Sequence, residues 1–318
     1  VVAFDFDEPY QFTLDSIAPV EKGSWKNYVL GVIYEIQQLG YDLKPFNIVF
    51  GGDIPGGAGL SSSAALENAI VFGINELFQL GLTRNDMIFI AQRAEHNFVG
   101  VKCGIMDQYA SMFGKKDHLM LLDCRTIEAK AFPVDFKDYE LILINTNVKH
   151  SLSDSAYNNR RSVCERTAAR LGKQALRDVT VADLLTIKDS IADDEYEMAL
   201  YVIQEIGRTQ KAADALIDGD ILTLGKLIYQ SHNGLSTQYK VSCDELDFLV
   251  DQAKANRAVI GARMMGGGFG GCTINLIKKS ESEHCIANAS EKYLKQFKKT
   301  CSVYKVHVAD GTKRIDQV

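Results

Sequence analysis

Apolar residues recur at helical spacing over residues 25–39, 60–80 and 83–98, and cluster into short strand-like runs between and beyond them. In the first half the strand-like runs cover 1–5, 10–15, 45–50, 118–124 and 128–134. Thr83, followed three residues later by Asp86, has the spacing of a capping box and marks the start of the 83–98 helix. A further helix is expected from Gly104 to Met112. A polar break at 135–138 then separates an N-terminal domain, 1–137, from a C-terminal domain, 138–318. The second half predicts a strand at 139–145 and helices at 154–171, 181–188, 195–217, 222–233 and 244–255. Strands at 258–265 and 272–278 flank a glycine run, and a helix at 281–296 and a strand at 302–308 finish the chain. Strands interleaved with clustered helices indicate an α+β fold rather than a regular βαβ repeat.

Between the 45–50 strand and the 60–80 helix lies a loop containing Gly51, Gly52, Gly56, Gly57, Ala58, Gly59 and Leu60, followed by Ser61, Ser62 and Ser63. A glycine loop opening a helix aims backbone N–H groups and the positive end of the helix dipole at a ligand. The serines add hydroxyls that can donate to phosphate or meet a cation, so the stretch suits a polyphosphate. It is not a Walker A loop, because no lysine closes it. The competing reading is a flexible loop that merely caps a helix. The second glycine run, 266–271, contains G-x-G-x-x-G but is followed by a strand-like run, which excludes a dinucleotide fingerprint. A tight loop passing close to another backbone, or to phosphates, is expected there; a plain hairpin is the alternative.

Two acids stand out. Glu95 lies near the end of the 83–98 helix, and Asp107 falls in the first turn of the next helix, where neighbouring N–H groups favour its ionised form. Taken singly, both read more readily as structural, Asp107 as a helix-start acid and, more strongly still, Glu95 as a solvated helix-end charge. Beside a polyphosphate loop they gain a different meaning. Phosphoryl transfer needs a magnesium ion on oxygen ligands, a set of donors and a group facing the acceptor hydroxyl. Ser63, Glu95 and Asp107 supply those roles in kind.

Composition narrows the classes further. With 318 residues, two domains are the default. A net charge of −6 argues against nucleic acid as the main partner. No apolar run approaches the ~20 residues of a membrane helix. Seven cysteines, with no C-x-x-C among them, give no disulfide framework, and a reducing cytoplasm is expected. No signal peptide is visible, although the sequence opens on Val1, so an upstream piece is expected to be missing.

The loop from Gly57 to Ala65, the segment Ala94-Glu-His-Asn-Phe-Val-Gly-Val-Lys-Cys-Gly-Ile-Met-Asp107-Gln and the run from Gly266 to Cys272 resemble three motifs of the galactokinases. These belong to the galactokinase–homoserine kinase–mevalonate kinase–phosphomevalonate kinase superfamily. Thr146-Asn-Val-Lys-His-Ser-Leu with Tyr157-Asn-Asn-Arg-Arg resembles the stretch around their sugar-contacting tyrosine, and Trp25-Lys-Asn-Tyr-Val resembles a further segment. The likeness runs over nearly the whole chain. It implies two domains with an active site in the cleft between them, and a reaction turning galactose and ATP into α-D-galactose 1-phosphate and ADP. By the same resemblance ATP sits on Gly57–Ser63 and Mg2+ on Ser63 and Glu95; Trp25 is placed at the adenine, with core packing as the equal alternative for a lone tryptophan. Asp107 lies beside the sugar C1 hydroxyl, as base or as orienting group, and Gly104 and Tyr157 line the sugar. No obligate protein partner is implied. The N-terminal galactokinase motif, Gly-Arg-x-Asn-Leu-Ile-Gly-Glu-His-Thr-Asp-Tyr, is absent from this sequence, which is the second reason to expect missing upstream residues. Two rivals remain: a kinase for N-acetylgalactosamine, and a non-catalytic sugar sensor. Sensors of that kind lose two residues from the serine–alanine stretch that Ser61 to Ala65 retains here.

Overall fold

The computed structural model describes residues 1–4, 9–149 and 153–315. The chain separates into two compact units, 1–56 with 60–130 and 308–318, and 57–59 with 131–307. The C-terminal residues thus return to the first unit, and Gly57 and Gly59 of the first glycine loop group with the second, while Gly51, Gly52 and Gly56 stay with the first.

In the first unit, α1 (Lys26–Gln38), α2 (Ser62–Phe78), α3 (Arg84–Ala94) and α4 (Met106–Phe113) enclose one apolar core. Val29, Ile33 and Ile36 of α1 meet Ile70, Val71 and Ile74 of α2, Ile88 and Ile90 of α3, and Met112 of α4. The Thr83–Asp86 capping box is present at the start of α3. Strands are sparse here. β1 (Val2–Ala3) pairs in parallel with β2 (Val49–Phe50), and β3 (His118–Asp123) pairs with β4 (Glu128–Pro133). The strand expected at 10–15 does not form. Tyr10 exchanges backbone hydrogen bonds with Val1, and beyond it Phe12, Leu14 and Ile17 lie as irregular chain against the helical core. The apolar alternation there reflects packing onto helices rather than sheet pairing. The expected 45–50 strand shortens to β2, and Asp5 of the 1–5 run lies outside the described residues.

In the second unit, β5 (Tyr139–Lys149), β6 (Val259–Met264), β7 (Gly270–Lys278) and β8 (Ser302–Val306) form one antiparallel sheet in the order β6-β7-β5-β8. Its helices are α5 (Ser153–Arg170), α6 (Val181–Leu185), α7 (Asp193–Ile217), α8 (Ile221–Thr237), α9 (Asp244–Lys254) and α10 (Ser282–Phe297). Leu249, Val250 and Ala253 of α9 and Cys285 and Tyr293 of α10 pack on Ile142, Ile144, Val259 and Ile277 of the sheet. No helix among the described residues is long and apolar enough to cross a membrane.

A polar cluster ties α8 to α9 in this unit. His232, nearly fully buried, accepts the Met264 N–H at Nδ1, so Nε2 is its donor towards Asp247 Oδ1, 3.1 Å away. Ser242 and Ser236 also donate to Asp247. Partial burial raises the Asp247 pKa, but the bonds from His232, Ser242 and Ser236 outweigh it and hold the carboxyl below its usual range. A depressed folded-state pKa gives stability that is present above the unfolded value of about 4 and lost as pH falls through the folded one. Asp247→Asn is therefore expected to lower the melting temperature at pH 7 more than at pH 3. An equal drop at both would mean the charge contributes nothing.

Candidate active site

The first glycine loop and the start of α2 have the local features of an anion site. Ser61, the residue before α2, sits in the left-handed region (φ 57°) and its side chain makes no capping bond to the first turn. The leading N–H groups of the helix are therefore not claimed by a cap, and the dipole adds roughly half a positive charge. The left-handed turn at Ser61 also explains why the helix starts at Ser62 rather than at Leu60. Ser61, Ser62 and Ser63 are all half-buried.

Gly57 and Gly59 both have positive φ, 71° and 74°. A Cβ on Gly57 would meet nothing within 4 Å, so open space lies in front of it. A Cβ on Gly59 would sit 2.9 Å from the Met265 carbonyl oxygen, and one on Gly266 3.1 Å from Gly59 Cα. The two glycine loops are thus pressed backbone to backbone. The 266–271 run joins β6 to β7, and its close neighbour is the other loop, with Gly271 against Gly57 and Ala58. Tyr157 of α5 reaches the same place, its ring 3.4 Å from where a Gly267 Cβ would stand. Residues 150–152 of the segment before Tyr157 lie outside the described residues.

The acids are positioned in the first unit. The α3 helix runs into a single π turn, Glu95–Val99, closed by Gly100 at φ 82°. Such wide turns interrupt a helix where a side chain must be re-aimed. Glu35 of α1 fixes this one, receiving Arg93 Nε at 2.8 Å and Asn97 Nδ2 at 2.6 Å. Glu95, at the junction, is 6% exposed, so it is not the solvated helix-end charge that its position in the sequence allowed. His96 Nε2 and Gln92 Nε2 both contact the Cys103 carbonyl and so hold the turn that leads through Gly104 to α4. Gly104 is exposed, with no atom within 4 Å of a built Cβ.

Asp107 lies in the first turn of α4 and is half-buried. An isolated helix of this length is marginal in water, so α4 depends on its surroundings. Its last carbonyls are satisfied from elsewhere in the unit. Ser111 O accepts from Thr312 N and Oγ1, and Met112 O accepts from Arg84 Nη1. The C-terminal residues therefore help to fix the aspartate.

Behind these acids is a group that the sequence did not single out. Glu67 of α2 is 0% exposed, and both carboxyl oxygens lack a hydrogen-bond partner. Asn68 Oδ1 and Gln108 Oε1 are likewise unpartnered, although Asn68 Nδ2 donates to the Gln108 carbonyl at 2.8 Å. Each such buried group left unmatched costs about 1–3 kcal/mol. Burial, then the charge of Glu95, pushes the Glu67 carboxyl well above its usual pKa, with the Gln108 amide opposing. Burial and Glu95 likewise push the Cys103 thiol up to about 12; Glu67 and Asp107 add to this and Gln108 opposes it. Glu67, Glu95 and Asp107 thus all lie within electrostatic reach of one thiol. The available signal was the acid falling on the buried face of α2, between Ala64 and Val71.

Trp25 directly precedes α1 and stacks edge-on against Phe50 and Tyr10, with ring centroids 5.4 and 6.4 Å away. It packs at the rim of the first core and remains half-buried.

Comparison with known proteins identifies the family. The family profile of the GHMP kinases N terminal domain matches residues 27–115, and that of the GHMP kinases C terminal matches 212–295. Galactokinase from Thermotoga neapolitana is 43% identical over 291 residues, covering 92% of this chain and 82% of that protein. Galactokinase from Clostridium acetobutylicum is 39% identical, covering 96% and 80%. The crystal structure of Lactococcus lactis galactokinase complexed with galactose superposes with a TM-score of 0.90 at 32% identity, covering 96% of this chain and 80% of that one. L. major mevalonate kinase, at 19% identity and a TM-score of 0.58, shares the fold. With relatives this similar along nine-tenths of its length, this chain belongs to the galactokinases, within the GHMP kinases.

Proposed function

We propose that the protein transfers the γ-phosphoryl group of ATP to the C1 hydroxyl of galactose, giving α-D-galactose 1-phosphate and ADP. The bond from the γ-phosphorus to its bridging oxygen breaks with its electron pair staying on ADP, the C1 oxygen forms the new bond to phosphorus, and the hydroxyl proton passes to Asp107 or to solvent. The observation that carries this reading is an uncapped helix start within an intact Ser61–Ala65 stretch, in a chain 43% identical to a galactokinase. Gly57, Ala58, Gly59, Leu60, Ser61, Ser62 and Ser63 hold the phosphates. The open space at Gly57 and the positive helix end suit them. The half-buried Trp25 offers its free surface to the adenine. Asp107 faces the C1 hydroxyl, while Gly104 and Tyr157 line the sugar.

For magnesium, the Ser63 hydroxyl and the Glu95 carboxylate are hard oxygen donors of the right kind. The described residues contain no cluster of three or more His, Cys, Asp or Glu side chains able to hold a metal alone. Mg2+ usually keeps several waters and binds phosphate oxygens beside one or two protein oxygens. When bound, it would neutralise charge on the transferring phosphoryl group. Glu95→Ala is expected to raise the Mg2+ concentration for half-maximal activity by about tenfold or more. An unaltered magnesium titration would exclude Glu95 as a ligand. Seven cysteines, none of them in a disulfide, fit a reducing compartment, and we place the reaction in the cytoplasm.

ADP release with galactose, compared with N-acetylgalactosamine, tests the sugar assignment. Turnover of the amino sugar but not galactose would overturn it. Galactose-dependent ligand binding with no turnover of either would identify a sensor.

A further inference from the structure

Between the sheet of the second unit and the helices α9 and α10 lies a cavity of about 340 Å3, at the lower end of the range for small-molecule sites. That is about the liquid volume of eleven waters, room for an organic molecule of roughly ten non-hydrogen atoms. Ile144, Leu249, Val259 and Ile277, all nearly fully buried, supply its apolar walls. None of the residues assigned to phosphoryl transfer lines it.

Its polar groups fall into two sets. Asn256 is spent on the protein: Nδ2 faces Cys285 Sγ at 3.1 Å, and Oδ1 accepts the Ala258 N–H at 3.0 Å. Asn275 of β7 is only half spent. Its Nδ2 donates to Ile142 O at 3.1 Å and to Thr273 O and Oγ1 at 3.3 and 3.0 Å. Turning the amide round would set an oxygen against two carbonyls, so its orientation is fixed. Oδ1 is left as an acceptor that meets no donor among the described residues, although Asn275 is only 2% exposed. Unlike the oxygens of Glu67 it is not sealed off, and the cavity that Asn275 lines is what it faces. Gln252 of α9, Arg257 of the turn after it, and Asn288 and Lys292 of α10 also line the cavity, and their side chains bond to no described residue. Arg257 and Lys292 are exposed while Gln252 and Asn288 are half-buried, so polarity runs from cations at the rim, past amides, to one acceptor at depth. No Asp or Glu lines the cavity. The carbonyl end of α9 carries roughly half a negative charge and offsets only part of the two cations.

We propose that this cavity binds a small organic carboxylate whose far end carries a hydroxyl or N–H. The carboxylate meets Arg257 and Lys292, the apolar body lies along Ile144, Leu249, Val259 and Ile277, and the far donor satisfies Asn275 Oδ1. A neutral hexose matches neither the rim nor the walls, and the site does not depend on the kinase reading.

The test is an NMR titration of the whole chain, labelled at its isoleucine methyls, with 4-hydroxyphenylacetate and 6-hydroxyhexanoate. At least one acid is expected to shift the Ile144 and Ile277 signals saturably, with a Kd of about 1 mM or tighter. Phenylacetate and hexanoate, which lack the far hydroxyl, should bind about tenfold more weakly than their hydroxy acids. 2-(4-Hydroxyphenyl)ethanol, which lacks the charge, should weaken similarly. Combined Arg257→Ala and Lys292→Ala should also cost about tenfold in affinity while moving the melting temperature by no more than about 1 °C, because both side chains are exposed. No saturable shift at Ile144 or Ile277 with either acid up to about 10 mM would overturn the proposal. Equal affinity for the analogues lacking the hydroxyl would remove Asn275 from the site, and unchanged affinity in the doubly substituted chain would remove the cations; either result overturns it as well.

Discussion

Asp107→Ala is expected to lower kcat by at least about 10³-fold while leaving ATP affinity within about threefold. The size follows from what an acceptor-side carboxylate contributes. A positioned base supplies about 10²–10⁴-fold, and preorganised charge at a reacting centre a comparable factor. The selectivity follows from placement: Asp107 is in the first turn of α4, whereas the proposed phosphate contacts begin at Gly57 and end at Ser63 on α2. Truncation there should remove no nucleotide contact. Fluorescence or calorimetric titration with ATP, beside steady-state kinetics, measures both quantities. Loss of ATP binding in step with activity would place Asp107 on the nucleotide and refute the arrangement. Asp107→Asn separates the two remaining roles. An amide cannot take the hydroxyl proton, so a base predicts that Asn is as inactive as Ala. A group that mainly orients the hydroxyl predicts that Asn retains activity well above Ala. The magnitude also depends on α4 holding its place, because its last turn is supported by Arg84 and Thr312 rather than by its own length.

The second large effect comes from two neighbouring glycines that should fail in different ways. Gly57 and Gly59 share the left-handed conformation, and alanine at either position pays the same backbone strain of about 1–2 kcal/mol. They differ in what lies beyond Cα. At Gly59 the added methyl would be 2.9 Å from the Met265 carbonyl, part of the backbone of the opposing glycine loop. At Gly57 it would extend into open space. Gly59→Ala is therefore expected to lower the melting temperature by about 5–10 °C, and Gly57→Ala by about 2–4 °C. The order reverses for function. If phosphates occupy the space before Gly57, its alanine variant should raise KM for ATP by about tenfold or more. Thermal melting and ATP titration of the two purified variants provide the test. Equal melting temperatures would deny the contact between the loops, and unchanged ATP affinity in Gly57→Ala would move the phosphates elsewhere.

These expectations separate what was readable along the chain from what was not. Periodicity located α1, α2, α3, α7, α9, α10 and the strands of the second sheet to within a few residues, because each buries one face against a core and so repeats at its own period. The capping box at Thr83 was visible because its two partners lie three residues apart. The strand at 10–15 was misread because apolar alternation records burial of every second side chain and carries no information about a hydrogen-bonding partner. Glu95 was ambiguous for a related reason. Whether a helix-end carboxylate is solvated depends on the π turn and on Glu35, 60 residues away in sequence. Nothing in the order of residues placed Gly59 against Gly266, or an acid at 67 beside a glutamine at 108.

By itself the sequence determined the α+β class, the helix-opening glycine–serine loop and the identity of the acids, since these depend on local spacing and on which side chains can donate or accept. The tertiary structure alone decided that Glu95 is buried, that two glycine loops abut, and that Glu67 is fully buried with both carboxyl oxygens unpartnered. Those outcomes turn on desolvation and close approach between segments far apart in the chain, and such energies exist only once the core has closed around them.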